Sequence, residues 1–193
     1  MSLTLGVIIG STRPGRNGAQ VAQWVCEQIK AAASGTTKFT CKLIDIADFA
    51  LPLLDEPMPA GYGIYSKEHT KQWAQAIAEC DAYIFVVCEY NRSPGPALTN
   101  AVDFLAREWN DKVAGFVSYG GGGGVCAVEH LRCQLAAVQV ATVRNQVAFT
   151  LGEDFVNYKD FKPRVQHVKT LSDMIAQVER WAVAFATMRK EKK

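Results

Sequence analysis

The residues best equipped for chemistry come early: Gly10, Ser11, Thr12, Arg13, Pro14, Gly15, Arg16, Asn17 and Gly18 in unbroken succession. An apolar run (Leu3, Leu5, Val7, Ile8, Ile9) stops at Gly10, and residues 19–33, AQVAQWVCEQIKAAA, have the spacing of an amphipathic helix. A strand, a polar glycine loop and a helix form a natural anion site. Loop N–H groups and the unsatisfied first turn of the helix converge there, and the helix dipole adds positive potential. Arg13 and Arg16 supply forked guanidinium donors, with Ser11, Thr12 and Asn17 as neutral ones. Ser11, Arg13, Arg16, Asn17 and Gly18 are therefore the candidates for holding a phosphate. The plainer alternative is an ordinary strand-to-helix turn with solvated arginines.

Two common phosphate motifs do not fit. Gly10 and Gly15 have P-loop spacing, but Arg16 and Asn17 stand where Lys and Ser/Thr are needed, so the Mg²⁺-binding hydroxyl of nucleotide hydrolysis is missing. The dinucleotide pattern G-x-G-x-x-G is absent too; Asp45, near the end of the second predicted strand, only imitates its ribose-binding acid. The loop suits a mononucleotide-like phosphate.

The elements that must position this loop alternate along the chain. Residues 38–46 read as a second strand with Phe39, Cys41 and Leu43 alternating, after a break at 34–36. Residues 47–65, with three prolines and two glycines, read as a long structured loop. A helix over 66–79 turns Trp73, Ala76 and Ile77 inward. Residues 81–90, DAYIFVVCEY, have the continuous apolar character of a central parallel strand. A helix is predicted over 96–109, a fourth strand over 111–121, a helix over 125–139 and a fifth strand over 140–151. The last helix, over 164–190, has a stripe of Val168, Leu171, Ile175, Val178, Ala182 and Phe185.

This alternation implies a single α/β domain over 1–193: a doubly wound, three-layer sandwich with a five-stranded parallel sheet of order 2-1-3-4-5 and helices on both faces. Ligands of such sheets bind outside the carboxyl ends of the strands. Three loops meet there: 10–18, 89–95 and 118–124. The second offers Glu89, Tyr90 and Asn91. The third runs from Ser118 and Tyr119 through Gly120, Gly121 and Gly122 to Gly124, and its bare backbone lets a flat ring lie close. A phosphate at one end and a flat, polar-edged ring at the other describe FMN.

Through these motifs the chain resembles the NADPH-dependent FMN reductases of flavodoxin-like fold, a group including quinone, azo-dye and chromate reductases. The resemblance rests on GSTRPGR at 10–16, CEYNRSPGPALTNAVDFL at 88–105 and SYGGGGG at 118–124. It implies that Ser11, Arg13, Arg16 and Asn17 bind the FMN phosphate, with one arginine available to NADPH instead. It implies Glu89, Tyr90 and Asn91 along the isoalloxazine, and Ser118 with Gly120 to Gly122 at its far edge. It further implies NADPH or NADH as co-substrate and hydride transfer through FMN to a small-molecule acceptor such as a quinone, free flavin, azo dye or chromate, without a catalytic side chain. Cys88 departs from the pattern, since the family has proline there.

The rest of the composition narrows the field. A net charge of +2 is too small to argue for nucleic acid or an anionic membrane, and no apolar stretch reaches the roughly 20 residues of a membrane span. The six cysteines lack metal spacing and read as free, mostly buried thiols of a reducing cytoplasm. His69, His130 and His167 are scattered and read as structural or exposed; the four tryptophans fit apolar stripes. No metal is expected. Two other classes stay open: a flavin-binding redox sensor without turnover, and a flavodoxin-type carrier, against which Arg13, Arg16 and the positive charge weigh. On a helix 96–109, Phe104 falls opposite the apolar stripe, which by itself needs no explanation. The resemblance, to a family that commonly dimerises through this region, implies a homodimer, or a tetramer, with Phe104, and Trp109 as a second candidate, buried between subunits.

Overall fold

The computed structural model describes residues 3–33 and 39–191, so the predicted break at 34–36 lies outside the described residues. Five principal strands, β1 (Leu3–Ile9), β2 (Phe39–Asp45), β3 (Ala82–Tyr90), β4 (Lys112–Gly120) and β5 (Val140–Thr150), form a parallel sheet in the order β2-β1-β3-β4-β5. A two-residue antiparallel segment, Ser93–Pro94, folds back onto the end of β3. Among the described residues the α-helices are α1 (Gly18–Ala33), α2 (Glu68–Ala78), α3 (Pro96–Asp103), α4 (Val125–Ala137) and α5 (Gln166–Glu191).

Strand periodicity divides the core. Leu3, Leu5, Val7 and Ile9 of β1 pack on α1 and α5, whereas Ile8 belongs to the opposite layer with α2, α3 and α4. β3 and β4 are covered on both faces, which accounts for their unbroken apolar character. The registers Ile9↔Asp45, Ile9↔Val86, Cys88↔Tyr119 and Gly120↔Thr150 bring the strand ends to one edge, where the candidate loops gather.

The structure corrects several expectations. α3 stops at Asp103, and the chain continues through tight turns to Asp111. Phe104 still has helical backbone angles, φ −61° and ψ −25°, and donates its N–H to Asn100 O, so it points as a helical residue would, yet it is not left at the surface. What encloses it is the chain packed over that face: the 47–65 loop is tied there by Leu54 N–H to Asn100 Oδ1 and by Arg107 Nε to Gly61 O, and Phe104, Leu105 and Trp109 are all buried, with Phe104 0% exposed. Phe104 meets the ring of His69, and Trp109 packs on Tyr83 and donates its indole N–H to Val102 O at 3.2 Å. Neither side chain is left for a subunit interface. On α5, Val168 is exposed and Phe185 half-buried, while His167, Met174 and Ala186 face inward. Leu43 on edge strand β2 is exposed, Ala76 is only half-buried, and Trp181 lies at the surface.

The thiols are free, but only Cys26, Cys80 and Cys88 are buried. Cys26 on α1 and Cys41 on β2 touch, at 2.8 Å between sulfurs. Their shared hydrogen bond raises the Cys26 pKa and lowers that of Cys41.

Candidate functional site

The 10–18 loop is built on close backbone contacts. Gly10 donates its N–H to Val86 O at 3.0 Å; a Cβ there would come within 2.8 Å of the Leu98 side chain and 2.9 Å of the Val86 carbonyl. Ser11 is buried, with its hydroxyl 3.2 Å from the Tyr90 hydroxyl and accepting from the Arg13 N–H at 3.4 Å. Asn17 accepts from Val21 N–H through its backbone carbonyl as α1 begins. Its side-chain amide donates to Tyr158 O at 2.9 Å, so Asn17 holds a neighbouring loop. Gly18 makes room for the Tyr119 hydroxyl, which a Cβ would meet at 3.0 Å. Ser11 and the Gly18 backbone hydrogen-bond that phenol, but burial dominates and pushes its pKa well up.

The two arginines differ. Arg13 is exposed and has no carboxylate partner among the described residues. Arg16 pairs with Asp45, whose other oxygen accepts from Ala47 N–H and is thereby fixed to the backbone. The Arg16 Nε is buried without a hydrogen-bond partner. An orphaned buried donor is costly, on the order of 1–3 kcal/mol, and a bound anion would satisfy it.

The second loop is a hairpin. Glu89 pairs with Pro94 and Tyr90 with Ser93, leaving Asn91 and Arg92 as a two-residue turn at φ 51° and 64°. Both angles are positive, as in the tight turns that suit the twist of paired strands. Asn91 therefore sits exposed at the tip and does not line the cleft. Glu89 reaches α4, where its carboxylate accepts from Ala127 N–H at 3.0 Å. Gly124 at that helix start has no side-chain cap, so Glu89 supplies an acceptor from outside. Cys88 is buried, and a Cβ on Gly95 would come within 2.9 Å of its sulfur.

In the glycine loop, Ser118 is fully buried. It donates to Gly123 O at 2.5 Å and accepts from Gln146 Nε2 at 2.8 Å, closing the loop from beneath instead of facing a ligand. Gly124 has φ 74°, and a Cβ there would meet Ser118 Cβ at 2.9 Å. Gly121 and Gly122 are exposed with open space around them; Gly120 faces inward.

Together the loops enclose a cleft of about 270 Å³. Arg13, Arg16 and Asn17 form one side; Glu89, Tyr90, Tyr119 and Gly120 form another. Ser11 lies just outside, in an adjoining hollow of about 210 Å³ that shares Arg13 and Tyr90. The sequence reading missed a third wall made of Leu151, Tyr158 and Lys159. Its only sequence signal is the turn-like Asn157-Tyr158-Lys159-Asp160 after the fifth strand. The histidines all have partners elsewhere: His69 at Asp55, His130 at Ser93 and His167 at Asp154.

An orphaned Arg16 donor and an unpaired Arg13 beside two tyrosines and bare glycine backbone fit a phosphate attached to a flat ring. The sequence profile of the NADPH-dependent FMN reductases matches residues 3–154. The chain belongs to that family. It is 36% identical over 171 residues to an NAD(P)H-dependent FMN reductase of Schizosaccharomyces pombe, covering 87% of this chain and 83% of the relative. It is 30% identical over 161 residues to a 2-hydroxy-1,4-benzoquinone reductase of a Burkholderia species, covering 80% and 81%. Among solved structures it resembles the flavoenzyme FerB of Paracoccus denitrificans, with a TM-score of 0.74, 19% identity and coverage of 95% and 98%. It also resembles oxidised flavodoxin 1 of Bacillus cereus, with a TM-score of 0.53, 15% identity and coverage of 91% and 96%. These structural likenesses make the fold flavodoxin-like. Family membership makes the protein an oxidoreductase with FMN as cofactor and NAD(P)H as co-substrate.

Proposed function

We propose that the protein transfers hydride from NAD(P)H through FMN to quinones, and to free flavin, azo dyes or chromate as further acceptors. The observation that carries this reading is the meeting, in one cleft, of Arg13 and the orphaned Nε of Arg16 with an aromatic and glycine wall. Arg13 and Arg16, with Ser11 beside them, would hold the phosphate; Tyr90, Tyr119 and Gly120 would flank the ring. FMN, when bound, supplies the hydride chemistry. The chain's own residues orient and exclude water: Tyr119 and Tyr90 narrow the cleft, and Glu89 stays committed to α4. Asn17, Gly18 and Ser118 shape the walls, while Asn91, Gly121 and Gly122 would approach the ring only from outside the cleft lining. Support for quinones comes from the Burkholderia relative and from an NAD(P)H:quinone oxidoreductase of Solanum tuberosum, 32% identical over 158 residues.

The test is titration of the purified protein with FMN, read by flavin fluorescence, followed by NADPH oxidation with and without a benzoquinone. Saturable quenching and quinone-dependent oxidation are expected. A folded protein that leaves FMN fluorescence unchanged overturns the proposal, and flavin binding without oxidation turns it into a sensor.

The same proposal places the protein in the cytoplasm as a homodimer or a tetramer. No helix among the described residues is long and apolar enough to cross a membrane. With Phe104 and Trp109 enclosed, support for assembly comes from the exposed Leu53, Leu54, Met58, Tyr62 and Ile64 of the 50–65 loop. Sedimentation showing a monomer at micromolar concentration would end that part.

A further inference from the structure

The third wall of the cleft is as firmly built as the other two. Phe155–Val156 pairs antiparallel with Asp160–Phe161, and Asn157 and Tyr158 turn between them at φ 53° and 58°. Two side chains at the start of α1 hold this hairpin: Asn17, just before the helix, donates to Tyr158 O, and Gln20 donates to Lys159 O at 3.0 Å while accepting from Phe161 N–H at 3.1 Å. Phe161 packs edge-on against Trp24 and Phe149. Behind the hairpin, the fully buried Asp154 accepts from Thr150 N–H, from Arg164 and from His167. The hairpin begins where the match to the family profile ends, at residue 154.

Its tip brings a charge to the cationic side of the cleft. Lys159 lines the cleft with Arg13 and Arg16, and forms no ion pair among the described residues. Asp45 already offsets one of the two arginines. A phosphate monoester carries roughly 1.5 to 2 negative charges at neutral pH, more than the 10–18 loop can balance alone. Glu89, the acid that lines the cleft, has its carboxylate turned to the α4 backbone.

We propose that Lys159 is a phosphate-binding residue, the third cation for a phosphate monoester in this cleft, held in place by the 155–161 hairpin. The assignment rests on reading the cleft as the flavin site. The phosphate comes from FMN or from the 2′-phosphate of NADPH, and each is compared with its phosphate-free counterpart.

Lys159→Gln should raise the FMN dissociation constant about threefold to tenfold and leave that of riboflavin unchanged, as loss of one partly exposed charge-assisted contact implies. If the coenzyme supplies the phosphate, the NADPH Michaelis constant should rise by a similar factor, with NADH and both flavins unaffected. Lys159→Arg should restore the discrimination in either case, which a merely structural side chain would not require. Gln20→Ala, which loosens the hairpin but keeps the charge, should shift the same pair in the same sense by a smaller factor. A wild type that binds FMN, with a Lys159→Gln variant that moves neither pair or moves both members equally, overturns this assignment alone. A wild type that binds no flavin overturns the functional reading and this assignment with it.

Discussion

The two ends of the sheet each have a hollow lined with cations, and they use those cations in opposite ways. At the end where the strands begin, the hollow is the larger, about 370 Å³ against 270 Å³. There the buried Lys112 donates to Ile77 O, Ala78 O and the Tyr83 hydroxyl, while Arg189 donates to Asp111 O and to Asp81. At the loop end, Arg13 and Lys159 have no carboxylate partner among the described residues and Arg16 keeps an orphaned buried Nε. Volume does not separate a structural hollow from a binding cleft. Whether the protein has already used its own donors does.

The largest effect expected under this contrast falls on Asp154, a satisfied ion cluster standing behind the cleft wall. Asp154→Ala strands buried partners and should cost about 3 kcal/mol in urea unfolding, weakening FMN and riboflavin together as the wall loosens. A stable variant with normal flavin binding would show that the cluster does not support the cleft.

Lys112 should reveal its burial through pH. Burial pushes its pKa down to about 8, whereas an unfolded lysine titrates near 10.4. Between those values the unfolded chain holds the proton and the folded chain does not, so stability rises with pH across that window and the penalty is greatest below it. Measured as wild type minus Lys112→Met, stability should move toward the wild type by about 3 kcal/mol from below pH 8 to above pH 10. A flat difference would mean that the ammonium is solvated. FMN affinity at neutral pH should be the same in both proteins.

Arg13 should behave in the reverse manner. Having no ion-pair partner among the described residues, it contributes little to folding, and Arg13→Ala should leave the unfolding midpoint nearly unchanged. FMN binding should weaken by about 1.5–3 kcal/mol relative to riboflavin. A loss shared equally by the two flavins would remove the phosphate from this loop.

Asp45→Asn should give the smallest shift, and in the favourable direction. The asparagine keeps an acceptor for Ala47 N–H while releasing Arg16, so FMN should bind more tightly by about 0.5–1 kcal/mol with riboflavin unchanged. Weaker FMN binding would mean that Asp45 holds Arg16 in its productive position.

The sequence alone determined the alternation of elements, the parallel order and the edge at which the loops meet. Those follow from local periodicity, from glycine and proline punctuation and from the handedness of crossovers, all written in short stretches of chain. It also picked out Arg13, Arg16, Tyr90, Tyr119 and Gly120 as residues of one site. The tertiary structure decided which members of a motif face the cleft. Ser118 has the polar chemistry of a ligand but closes its own glycine loop through Gly123 O, Asn17 lines the cleft with its amide committed to Tyr158 O, and Asn91 is carried to a turn tip by its positive φ. Phe104 is enclosed because the 47–65 loop and α2 cover its face of α3, and Lys159 reached the cleft through a hairpin pinned to α1 from about 140 positions away. A hydrogen-bond partner that distant leaves no periodic trace in the sequence, so only the fold can show which polar group is already satisfied and which is still free to bind.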